Sequence, residues 1–319
     1  MLIPVLLIIL GFALLIKGAD FLVDGASNVA KRFHIPEIII GLTIVSIGTS
    51  MPELVVSTTS ALKGCSDMAI GNVIGSNACN LMLILGLASV IRSIKVQNST
   101  KKIDIPLAIA FSVLFMVLCN AGNDISRLDS IILLVLFALF ITYTIVMAKQ
   151  SGNSDEEEET EIKEGTNKKL TILKDIFFII AGIIALKFGG DLTVDNAVFI
   201  AKHFNLSEQI IGLTILAVGT SLPELVTSVV AAIKGNSDIA IGNIVGSNIF
   251  NMLFIIGVAS LISPITYNPA YNMDLLCVII ATVTLLIFTL TPPKNEMNRI
   301  NGLIYLLMYG GYIALLFNA

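Results

Sequence analysis

The sequence predicts an all-α integral membrane protein of ten transmembrane helices arranged as two inverted five-helix repeats. Three observations lead there. Of the 319 residues 55% are hydrophobic and 13% charged, with a mean hydropathy of +0.91, a composition that cannot furnish a water-facing surface. The apolar residues come in blocks of about 18 to 26, each long enough to cross a hydrocarbon core of about 30 Å as a helix, which excludes a porin-type barrel. Finally, displacing the chain by 171 residues lays 37–91 on 208–262 without a gap, and 33 of those 55 positions are identical, so the halves are one duplicated unit.

The first expected span, 2–26, lacks a basic leading region and a small-residue cleavage site and runs on through Gly18 and Gly25, so it is read as a retained helix. Spans 37–63 and 68–92 follow, apolar but interrupted by Gly, Ser, Thr, Asn and one Glu. Spans 104–121 and 127–148 are almost purely apolar and complete a first half, 1–148. Residues 149–171 form a linker, because Asp155, Glu156, Glu157, Glu158, Glu159, Glu161 and Glu164 among Ser, Gly and Asn cannot bury a core. These seven acids account for the formal net charge of −4; the remainder is mildly basic. The second half, 172–319, repeats the pattern with spans 172–199, 208–234, 239–262, 273–291 and 300–317.

Five crossings per half is an odd number, so the second copy enters the membrane from the opposite side and the halves are related by an in-plane pseudo-twofold axis. The Lys/Arg distribution sets the orientation in the cell membrane. With both termini outside, the inner loops carry 14 basic residues, among them Lys31, Arg32, Arg92, Lys101, Lys149, Lys234 and Arg299, against Lys63, Arg127 and Lys202 outside, and the linker is cytoplasmic.

The second and seventh spans contain Gly48-Thr49-Ser50-Met51-Pro52-Glu53 and Gly219-Thr220-Ser221-Leu222-Pro223-Glu224. Each proline removes a helical donor, so each helix should kink and free carbonyl oxygens, which is tolerated only beside a cavity. The i, i+4 spacing places Thr49 with Glu53, and Thr220 with Glu224, on one face. The third and eighth spans supply Ser76 and Asn80, and Ser247 and Asn251, again at i, i+4. Two intramembrane carboxylates with neutral oxygens, and neither imidazole nor thiolate, suit a hard cation, calcium before magnesium. The alternative for a single motif is a proline kink with a tucked carboxylate; its recurrence in both halves argues against that. For the Ser/Asn segments the alternative is helix packing through small and amide residues.

These paired segments, with Gly71-Asn72-x-x-Gly75-Ser76-Asn77 and its copy from Gly242, resemble the two alpha-repeats of the calcium/cation antiporter superfamily, and within it the prokaryotic sodium/calcium exchangers. The resemblance spans nearly the whole chain and places the alpha-repeats at 37–91 and 208–262. It implies a calcium site built on Glu53 and Glu224, sodium positions lined by Thr49, Ser50, Thr220, Ser221, Ser76 and Ser247, contributions from the Ser46 and Ala217 carbonyls, and a first and sixth helix that slide past the rest. Asn251 departs from the Asp that such exchangers often carry, which makes it symmetric with Asn80 and bears on sodium stoichiometry.

The expected function is therefore calcium/sodium antiport, with calcium/proton antiport or a passive cation channel as alternatives. An empty pair of facing carboxylates resists occlusion, which favours exchange over uniport, and the surplus neutral oxygens favour sodium over protons. No cofactor, nucleic acid or obligate protein partner is expected; the partners are the transported ions and the bilayer. An intramembrane protease using Asp20 and Asp191 would leave the repeated motifs unexplained, and neither HExxH nor a Ser/His pair is present. Asp20, Asp24, Asp191 and Asp195 recur in both halves and are read either as hydrated span ends or as part of the ion path. Lys17 and Lys187 are out of register and expected to snorkel or pair locally. His34 and His203 are placed in loops. The four cysteines lack metal or disulfide spacing.

Overall fold

The computed structural model describes residues 2–152, 168–204 and 217–318. Its elements are almost all helical: α1 (Leu2–Arg32), α2 (Glu37–Thr49), α3 (Met51–Leu62), α4 (Ser66–Ile91), α5 (Thr100–Gly122), α6 (Arg127–Gly152), α7 (Lys168–His203), α8 (Ala217–Gly219), α9 (Leu222–Lys234), α10 (Ser237–Ile262), α11 (Pro269–Leu290) and α12 (Arg299–Asn318). Among the described residues seven helices are long and apolar enough to cross a membrane, or eight if the bent pair α2 and α3 is one span. The expected span 208–234 and most of the acidic linker lie partly outside the described residues.

The hydropathy pattern locates most spans, but it ends two of them too early. Helix α1 continues to Arg32 and α7 to His203, with Lys31 and Arg32, and Lys202 and His203, in the last turns, where the negative end of the helix dipole favours cations. Asp20, Asp24, Asp191 and Asp195 therefore each have about two or more helical turns beyond them. His203 closes α7 instead of occupying a loop, and its ring meets Phe204 edge-on. Two features had no sequence signal: wide π-type turns at Gly41–Val45, Cys79–Ile84, Thr100–Asp104 and Phe250–Ile255, and two-residue antiparallel ladders joining Ile94–Lys95 to Glu296–Met297 and Asp124–Ile125 to Ile265–Thr266.

Helices α4 and α10 form the centre: 72% and 83% of their apolar windows are buried, against 22% for α1 and 17% for α6. Their small and amide residues permit this depth, since bulky side chains would hold the neighbouring backbones apart. Around them pack α2, α3 and α9. Outside this core α1 and α7 lie along one another, with large apolar side chains such as Leu6, Leu10 and Phe177 facing outward. Glycine makes that pairing possible. A methyl group on Gly18 would stand 2.9 Å from the Gly182 carbonyl oxygen, and one on Gly189 would stand 2.8 Å from that of Gly11. Arg32 Nη2 also reaches Asp175 Oδ2 at 3.2 Å across this pair.

Candidate cation site

The break in the second span falls at Ser50 (φ −87°, ψ 11°), two residues before Pro52, and bends the chain by 49°. Pro52 then occupies the first turn of α3, where its missing N–H has no helical acceptor to serve. Ser221 (φ −88°, ψ 7°) and Pro223 reproduce the arrangement at the start of α9. Glu53 and Glu224 consequently sit in the first turns of their helices, where the free N–H groups and the dipole favour negative charge.

This geometry corrects the i, i+4 argument for Thr49 and Glu53, which assumed a continuous helix. With the break between them, the hydroxyls of one half go to the carboxylate of the other. Ser50 Oγ donates to Glu224 Oε1 at 2.7 Å and lies 3.0 Å from Ser247 Oγ. Thr49 Oγ1, also beside Glu224, lies 3.1 Å from Asn243 Oδ1. In the mirrored position the hydroxyls of Ser221 and Ser76 neighbour Glu53, and the two carboxylates are close enough to repel. Thr49, Ser50, Glu53, Ser76, Asn80, Ser221, Glu224, Ser247 and Asn251 are all at most 2% exposed. Thr220 differs: it is only half-buried and lines a cavity.

The Ser46 carbonyl receives the Ser50 N–H at 3.0 Å and the Thr49 hydroxyl at 3.3 Å, with Ser247 Oγ 3.5 Å away, so it borders the cluster. Its counterpart Ala217 opens α8, and residues 205–216 before it lie outside the described residues.

Asparagines hold the cluster together, and sequence reasoning passed over several of them. Asn77 and Asn248 exchange bonds, each Nδ2 donating to the other's backbone carbonyl at 3.3 Å. Asn80 Nδ2 donates to Asn248 Oδ1 at 3.0 Å, and Asn251 Nδ2 donates to Asn77 Oδ1 at 2.9 Å. Asn72 donates to Ser57 Oγ and the Glu53 carbonyl, and Asn243 to Ser228 Oγ. The available signal was that Asn72 and Asn77 recur at Asn243 and Asn248 in an apolar context.

With the amide donors committed in this way, seven buried oxygens of these motifs have no hydrogen-bond partner: Glu53 Oε1 and Oε2, Glu224 Oε2, Ser76 Oγ, Ser221 Oγ, Asn80 Oδ1 and Asn251 Oδ1; among the other described residues the same holds of the Thr58, Ser89, Thr100 and Thr227 hydroxyls. Buried oxygens without partners are costly and uncommon, and a set of them around two carboxylates matches the needs of an oxygen-coordinated cation. Among the described residues no three His, Cys, Asp or Glu side chains cluster, so neutral oxygens must complete any such shell.

A cavity of about 580 Å³ approaches the cluster from one side, reaching Asn72, Gly75, Thr220 and Pro223, and is bordered further out by Asp191 and Asp195 of α7. On the other flank α1 packs against α9, and Lys234 Nζ binds Asp24 Oδ1 at 2.7 Å and Asp20 Oδ1 at 3.1 Å. Lys17 and Lys187 pair locally, with Asp20 at 3.6 Å and Asp191 at 2.8 Å.

The profile of the sodium/calcium exchanger protein family matches residues 3–146 and 174–318. The putative antiporter CaxA of Alkalimonas amylolytica is 37% identical over the full length of both chains, and the sodium/calcium exchanger MaX1 of Methanosarcina acetivorans is 34% identical over 98% of each. The solved sodium-calcium exchanger NCX_Mj superposes with a TM-score of 0.85 at 29% identity, covering 98% of both chains. With a family profile spanning almost the whole chain, full-length relatives and a shared fold, this multi-pass membrane protein belongs to the sodium/calcium exchanger family, whose members are transporters and not enzymes.

Proposed function

We propose that the protein exchanges calcium for sodium across the cell membrane by alternating access at the Glu53/Glu224 cluster. The observation that carries this is the set of seven unpartnered oxygens around two buried carboxylates. Calcium is held by Glu53 and Glu224 with the amide oxygens of Asn80 and Asn251 and the hydroxyls of Ser76 and Ser221, a flexible oxygen shell of the kind calcium accepts. Sodium ions occupy positions bordered by Thr49, Ser50, Thr220, Ser247 and the Ser46 and Ala217 carbonyls on the return leg. The excess of neutral oxygens over what proton exchange on two carboxylates requires supports sodium as the counter-ion, as do the names of MaX1 and NCX_Mj.

The chain crosses the membrane ten times as two inverted five-helix repeats, with both termini outside and the acidic linker in the cytoplasm. Under this orientation the 580 Å³ cavity opens outward, while the packed α1 and α9 close the inner side. Access from one side at a time favours an antiporter over a passive channel.

The test is calcium flux into proteoliposomes. An opposed sodium gradient at equal pH drives calcium accumulation. Accumulation under a pH gradient alone, with sodium neither driving nor competing, would replace sodium by protons. Calcium flux indifferent to every counter-ion would make the protein a channel.

A further inference from the structure

The charged residues outside the cluster show an asymmetry that the repeat turns into a prediction. Lys234 is the last residue of α9 and binds Asp20 and Asp24 of α1, tying together two helices that already pack. A shift of 171 residues relates Lys234 to Lys63, Asp20 to Asp191 and Asp24 to Asp195. The same three side-chain types are therefore present on the other flank, but they are not joined. Among the described residues Lys63 makes no ion pair, and it is exposed at the end of α3. Of the described residues Asp191 is bound only to Lys187 on its own helix at 2.8 Å, whereas Asp20 has Lys17 of its own helix at 3.6 Å and Lys234 as well. Asp191 and Asp195 border the cavity, which Val55 and Val56 of α3 also line, and α3 and α7 lack the packing that joins α9 to α1.

We infer that Lys234 with Asp20 and Asp24, and Lys63 with Asp191 and Asp195, are two ion-pair latches engaged alternately, each closing one side of the transport site. The inference rests on the inverted-repeat reading above, under which equivalent residues lie on opposite membrane faces. With Lys234 engaged and Lys63 released, the protein is closed on the α1/α9 side and open on the α3/α7 side. Exchanging the conformations of the two halves carries Lys63 onto Asp191 and Asp195 and frees Lys234. Lys234 and Asp20 are 28% and 29% exposed, so the pair is neither fully desolvated nor fully screened. That intermediate setting suits a contact that must form and break in each cycle. Lys187, which aligns with Ile16 and has no repeat counterpart, holds Asp191 while its latch is open.

Cysteine cross-linking of the full chain in membranes tests this, on a background with Cys65, Cys79, Cys119 and Cys277 replaced. One protein carries Lys234→Cys with Asp24→Cys, another Lys63→Cys with Asp195→Cys. After cleavage in the linker, either disulfide holds the two halves together on a gel. Both cross-links are expected to form, each stopping exchange until reduced. Adding Lys234→Gln to the second protein should raise its cross-link yield about two- to fivefold, the population change that loss of one partly exposed ion pair produces. Failure of the Lys63→Cys pair to cross-link, or a yield unmoved by Lys234→Gln, overturns the latch. Impermeant labelling of the single Lys63→Cys and Lys234→Cys proteins reports separately on the repeat: reaction of both from the same face would overturn the inverted arrangement and the latch with it. None of these readouts depends on which ion is carried.

Discussion

Glu53→Gln should make the ion-free protein more stable and the calcium-loaded protein less so. Both Glu53 oxygens are buried without partners, and the carboxylate repels Glu224. A carboxyl buried without partners costs about 3 kcal/mol at pH 7, either by staying ionised or by taking up a proton that the unfolded chain would not bind, whereas a neutral amide of the same shape keeps the packing and gains a donor beside Ser76 and Ser221. Against residual desolvation of the amide, a net gain of about 1–3 kcal/mol for the empty variant is expected. Calcium reverses the order. At a hundred times its Kd the ion stabilises the wild-type protein by about 2.7 kcal/mol. The variant, having lost one of two carboxylates and so about 3 kcal/mol or more of binding, gains almost nothing at that concentration. Glu224→Gln should show a smaller gain when empty, because Ser50 already donates to its Oε1 at 2.7 Å. The assay is thermal unfolding of purified protein, first with chelator and then with stepped calcium, alongside vesicle flux. A variant less stable than wild type when empty, yet with an unchanged calcium-induced shift, would refute both the unpaired charge and the site.

Asn248→Ala removes the acceptor of the Asn80 amide and the donor to the Asn77 carbonyl; a loss of about 2 kcal/mol and a marked fall in exchange are expected, and full flux in the folded variant would show that the asparagine bridge does not position the site. Gly18→Val places a branched side chain against the Gly182 carbonyl and should cost about 1–3 kcal/mol in unfolding measurements while slowing exchange, whereas Gly310→Ala, with open space around its position, should be neutral or stabilising by up to about 1 kcal/mol. Equal effects at the two glycines would dissolve the close α1/α7 contact.

Duplication is what made so much of the candidate site legible. Glu53 in an apolar helix is ambiguous alone; the 55-residue repeat sets Glu224 at the matching position and singles out the hydroxyls and amides of both motifs as candidates beside the two carboxylates. The expected kink is present, but i, i+4 spacing does not survive it: the chain turns at Ser50, so Thr49 meets Asn243 and Glu224 and not the Glu53 four residues on. Hydropathy likewise falls where α1 becomes polar although its hydrogen bonding continues to Arg32, so the end of the helix is not marked by the end of the apolar block.

The sequence alone carries the solvent, the repeat and a candidate ligand set: apolar blocks demand a bilayer, 171-residue self-similarity demands a duplicated unit, and two carboxylates among hydroxyls and amides suit a hard cation. These properties are local or periodic along the chain. Folding in three dimensions alone settles which hydroxyl meets which carboxylate, that Asn77 and Asn248 clasp one another, and that Lys234 pairs with Asp20 and Asp24 while Asp191 and Asp195 border a cavity. The reason is that a partner about 170 residues away is chosen by the packing of α4 and α10 between broken helices. Two identical copies of a motif can settle into unequal conformations, a difference that no residue-by-residue reading contains.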